Sequence, residues 1–185
     1  VATCDPWPET GREECAAVDH AHFPGEPSCA RIGTACTDDP WAADLPTEQP
    51  ILYVWAEAAA GGDGTRAAPF ATIAEATSVA TDGSVIALAK GTFDEVVVLP
   101  RDVTLWGACV AETVLTCSVA GDTAGTVTTS GADATVRNLR ISGGLRPGMA
   151  VRSSGRSMDV QDVVIEGTAT FGLLVAAGAG MTGRS

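Results

Sequence analysis

From Ile51 onward, apolar residues come in short runs divided by turns rich in glycine and aspartate. The first run, Ile51-Leu52-Tyr53-Val54-Trp55, is β-branched and aromatic, and further runs lie over 85–89, 96–99, 103–106 and 114–117. These are the marks of strands. One interval has a helical period instead. Phe70, Ile73, Ala74, Ala76, Val79 and Ala80 fall largely on one face with Thr72 and Glu75 opposite, which predicts a helix over 69–80 opened by Pro69. Residues 1–50 have no such period and carry prolines at 6, 8, 24, 27, 40, 46 and 50, so they read as loop.

The strand runs repeat. A shift of 24 residues superposes Val127, Val151 and Val175, then Gly107, Gly131 and Gly155, then Cys117, Ile141 and Ile165. Within a repeat Leu139 and Ile141 alternate with Asn138, Arg140 and Ser142, the period of a half-buried strand. Three strands of four or five residues and three turns fill about one such repeat, so the pattern predicts an all-β solenoid in which each coil buries its face on the next. Val127, Val151 and Val175 should form one inward ladder, and Leu139, Ile141, Val163 and Ile165 another. Asn138 and Asp162 hold equivalent positions just before the core pair and suit turns that hydrogen-bond between coils. Val160 plus one period is 184, so the pattern is expected to continue beyond Ser185. Two domains follow: a 1–50 segment rich in cysteine and proline, and a 51–185 solenoid.

The six cysteines, Cys4, Cys15, Cys29, Cys36, Cys109 and Cys117, change the picture of the first segment. It is too polar to build its own core, and an even count reads as disulfides formed in an oxidising compartment. Zinc is the rival, because His20 and His22 lie between Cys15 and Cys29, but the gaps lack the short ligand pairs of structural zinc sites. Three disulfides and no metal or cofactor are expected, with Cys109–Cys117 local and Cys4–Cys15 and Cys29–Cys36 the favoured pairing of the rest. The net charge of −12 argues against nucleic acid, which needs a basic surface. No run approaches the ~20 apolar residues of a membrane span.

The stretch from Gly62 to Gly107 resembles the entry of the pectin-lyase-like superfamily. Its carriers are the glycine-rich turn Gly62-Asp63-Gly64-Thr65, the amphipathic helix, the strand 86–95 with Gly91-Thr92-Phe93-Asp94-Glu95, and Val103-Thr104-Leu105-Trp106-Gly107. The resemblance implies a right-handed parallel β-helix whose short N-terminal helix caps the coil stack. The arrangement is also similar to secreted bacterial proteins that join a short cysteine-rich stretch to such a helix.

Enzymes of that superfamily act on acidic polysaccharides, and neither their paired aspartates with glutamines nor their calcium-binding carboxylates are found here. Arg137, Arg140 and Arg152 with Asp159, Gln161 and Asp162 are the polar residues on exposed strand positions. One arginine and one carboxylate could meet there, which reads as a surface ion pair. Asp38, Asp39 and Asp44 form an acidic loop, short of the six to eight oxygens calcium takes. The four tryptophans read as packing between the first segment and the first coils. The expectation is a secreted or cell-surface module, non-catalytic, with an adhesive, binding or structural role. Its partners would be a polysaccharide or further copies meeting at an open C-terminal coil. The alternative is a carbohydrate-active enzyme, of the polysaccharide lyase or esterase type, whose site lies partly beyond this segment.

Overall fold

A computed structural model describes residue 7 and residues 11–120, 124–169, 171–175 and 178–184. Cys4 lies outside them. Strands β1 (His20–Ala21) and β2 (Ala30–Arg31) form a small antiparallel pair. Every other pairing is parallel. After β3 (Ile51–Val54) comes the helix α1 (Ile73–Val79), then β4 (Val85–Leu88), β5 (Gly91–Asp94), β6 (Val97–Leu99), β7 (Val103–Gly107) and β8 (Thr113–Thr116). The remainder is β9 (Val127–Thr129), β10 (Ala134–Ser142), β11 (Met149–Val151), β12 (Ser157–Glu166), β13 (Leu173–Val175) and β14 (Gly180–Arg184).

These strands sort into two parallel sheets. One has eight strands, in the order β14-β12-β10-β7-β4-β3, with β8 bridging β10 and β5. The other has four, in the order β13-β11-β9-β6. A single core cluster draws on both, including Leu88, Leu105, Leu139 and Ile141 from the first and Leu99 and Met149 from the second.

The expected right-handed parallel β-helix is therefore corrected. The strands form separate sheets, with no sheet closed or curled into a clear solenoid. The coil of three short strands fails because Ala134–Ser142 and Ser157–Glu166 are each one continuous strand. The spacing is also uneven. Ala134 pairs with Val103, Ile141 with Leu115 and Val127 with Met149, whereas Val136 pairs with Val160 at the expected distance. Val127, Val151 and Val175 consequently do not form one ladder, since Val127 faces Met149 while Val151 faces Val175.

Helix α1 starts later than predicted. Thr72 is its N-cap, with Glu75 completing a capping box, so the first orphan amides find partners. Pro69 precedes an extended link in which Phe70 bridges Val54. Val79 is exposed rather than packed.

Residues 33–50 run as a strap over the outer face of the eight-stranded sheet. Trp41, Ala42 and Leu45 pack against Val85, Ala87, Ala89 and Trp106. The amides of Lys90 and Val85 donate to the carbonyls of Pro40 and Pro50, each at 2.8 Å.

Candidate functional site

The cysteines fasten this strap, though not in the expected pairs. Cys36 bonds Cys109, 73 residues away, and Cys15 bonds Cys29. The local Cys109–Cys117 bridge is absent: Cys117 is buried as a free thiol whose sulfur donates to the Val119 carbonyl. Cys109 instead meets Cys36 of the strap. The expected Cys4–Cys15 and Cys29–Cys36 pairs fall with it, because Cys15 and Cys29 hold each other.

Asn138 is a second fastening. It sits in the left-handed region at φ 56°, a conformation asparagine tolerates better than most residues. Its side-chain nitrogen lies 2.9 Å from the carbonyls of Gly107 and Ala108 and 2.8 Å from the Thr34 hydroxyl, and its oxygen accepts from the Thr34 amide. Gly107 has to be glycine, since a Cβ there would lie 2.7 Å from that of Leu139. Asp162 shares the left-handed conformation at φ 52° and lies under Gly33 of the strap.

Where the strap ends, the outer sheet face carries the polar residues that the sequence singled out. Register sets Arg137 beside Gln161 and Arg140 beside Val164. The Arg137 guanidinium stacks 3.8 Å from the Trp106 ring centroid, with Asp44 of the strap at 3.9 Å. Arg140 donates to Glu166 at 2.8 Å, and the Ser142 hydroxyl donates to the same oxygen. The hydrogen bond from Arg140 holds the Glu166 carboxyl below its ordinary value against the opposing effect of burial. Gln161 donates to one oxygen of Asp159 and Thr182 to the other. Both arginines keep a buried Nε without a hydrogen-bond partner.

The predicted set is thus divided. Arg137, Arg140, Asp159 and Gln161 share this face, Asp162 lies beneath the strap, and Arg152 stands near Thr128 and Ser130 at the end of β9 in the other sheet. The predicted arginine–carboxylate pair exists, but its acid is Glu166. That residue was legible as one repeat plus two from Arg140, the diagonal neighbour on a strand face. Trp106 as the platform for Arg137 carried no sequence signal.

The remaining candidates serve structure. His22 accepts the Glu13 amide at Nδ1 and lies 2.8 Å from the Glu26 carbonyl through Nε2. His20 meets the buried Asp19, which also pairs with Arg31. Asp38, Asp39 and Asp44 do not act together: Asp39 accepts the Trp41 amide and pairs with Arg66, while Asp44 turns to Arg137. Trp41 packs edge-on against Tyr53 and Trp55.

Comparison with protein-family models, with curated proteins and with solved structures finds no match to this chain. Two disulfides are compatible with an extracellular protein. Among the described residues no helix is long and apolar enough to cross a membrane.

Proposed function

We propose that this protein is a non-catalytic extracellular module that binds through the outer face of β7, β10 and β12. One observation carries the reading. On that face the Arg137 guanidinium stacks on Trp106, Arg140 is held on Glu166, and Gln161 is held on Asp159, so charged and amide groups are fixed in a row that can bind without rearranging. Its register along three neighbouring parallel strands matches an extended polymer. A polysaccharide is the partner class that matches it. Binding and product release measured together on neutral and acidic polysaccharides, with and without calcium, test the reading. Retention without new reducing ends or unsaturated products is expected, with retention lost in Arg137→Ala. Product formation that tracks protein concentration overturns it.

The edges of β13 and β14 support self-association as a second property. Leu173 and Val175 are 52% and 43% exposed, while their register partners Met149 and Val151 are fully buried. Residues 167–183 carry no charge, which lowers the local repulsion between two copies of this acidic chain.

A further inference from the structure

We propose that Cys36, Cys109 and Glu112 form a zinc site in the reduced protein, so that the strap can be fastened either by a disulfide or by a metal ion. The sulfur atoms of Cys36 and Cys109 and a carboxylate oxygen of Glu112 all lie within 4.8 Å of one another. Cys109 is buried, Cys36 is half-buried and Glu112 is exposed, which leaves the Glu112 side open for the water that completes a tetrahedral zinc centre. The Cα atoms of the two cysteines are 5.2 Å apart; the Cys109 carbonyl accepts the Thr113 amide, and the strap is held on either side of Cys36 independently of the sulfurs. Thr34 is tied to Asn138 on one side, and the Lys90 amide to Pro40 on the other. Opening the disulfide therefore leaves the two thiols facing each other.

The charges favour the site. Two thiolates and one carboxylate against Zn2+ leave a net −1. The Lys90 ammonium, 2.8 Å from Glu112 and also bonded to the Thr37 carbonyl, supplies the balancing charge. Such outer partners orient and tune metal ligands. The chemistry closes: a dithiol reductant gives two hydrogen atoms to the disulfide and becomes a disulfide itself, and each cysteine thiol then releases a proton as it takes zinc. The other disulfide has no equivalent: among the described residues Cys15 and Cys29 have no third ligand gathered with them. This site is independent of the sheet face described above.

The test is a zinc titration of the full chain, oxidised or reduced with a phosphine, in competition with a chromophoric chelator. One zinc per chain is expected in the reduced form and none in the oxidised form. Cobalt should replace it and show thiolate-to-metal charge-transfer bands. Cys36→Ser/Cys109→Ser should abolish uptake while Cys15→Ser/Cys29→Ser retains it, and Glu112→Gln should weaken it at least about tenfold. The Cys36→Ser/Cys109→Ser variant keeps Cys4, Cys15, Cys29 and Cys117, so zinc persisting there overturns the proposal. So does a reduced wild-type chain that takes no zinc, or a Glu112→Gln variant that binds as tightly as wild type.

Discussion

Asn138, the chain's one asparagine, bonds the carbonyls of Gly107 and Ala108 and the amide and hydroxyl of Thr34. Asn138→Ala removes these bonds and leaves buried backbone groups unpaired, at about 1–3 kcal/mol for each group. Thermal unfolding should show a midpoint lower by on the order of 6–12 °C. Gly107→Ala should match it, because the new Cβ drives β7 and β10 apart, whereas Gly131→Ala meets open space and should cost only the strain of its positive φ. Asp19 predicts a pH effect. Burial alone would raise its pKa, but the hydrogen bond with His20 and the charge of Arg31 more than reverse that. The folded value is thus below the ordinary one, so the stabilisation is complete above pH 3.8 and disappears as pH falls through the folded value. Trp7, edge-on to His22 at 5.1 Å, should report it: its fluorescence changes on acidification, and Asp19→Asn shows the altered signal already at neutral pH.

At the scale of elements, Glu95 shows how one side chain joins two of them. Its oxygens accept the amides of Ile73 and Ala74 at the start of α1, which are among the donors a helix cannot satisfy itself. Asp94 beside it accepts the Ser118 amide, and Asp133 accepts the Ser157 amide. Each link spans 24 residues. Glu95→Ala should cost about 2 kcal/mol, as a loss of charge-assisted bonds. Hydrogen exchange should speed up first at Ile73 and Ala74. The repeat behind those links was legible, and it placed Val136 on Val160 and Leu139 on Val163 correctly. It misplaced Val127 by two residues, since its partner is Met149 and not Val151. Strand side chains alternate with period two, so a two-residue slip keeps the same face; Val127 and Val151 are both buried as expected. Strand faces were therefore readable where turn lengths were not. The long strands β10 and β12 were not readable, because each crosses a left-handed residue that the pattern marks as a turn. Cysteine pairing was not readable either: Cys36 and Cys109 are brought together only by the strap's path over the sheet, and spacing alone leaves connectivity open.

Over the whole molecule the two ends of the sheets differ. The strand β3 is covered by the chain from Gly64 to Phe70, and α1 packs beside β3 and β6. No element covers the far edges of β13 and β14 among the described residues. Leu173→Lys should abolish any concentration-dependent size increase seen by light scattering while leaving the free energy of unfolding within about 0.5 kcal/mol, as for other surface changes. Ile141→Asp, inside the shared core, should abolish cooperative unfolding altogether, because an unpaired buried charge costs several kcal/mol of the 5–15 a domain has. Val164→Asp on the half-exposed outer face is its control. The strap also imposes an order in time. Thr34 is made 104 residues before Asn138, and Cys36 is made 73 before Cys109, so during synthesis the strap emerges long before its anchors exist. Through that interval Cys36 is free beside Cys15 and Cys29. The native bonds must then win a kinetic contest against a wrong one, and oxidative folding of this chain should depend on a disulfide isomerase more than the two bonds among the described residues suggest.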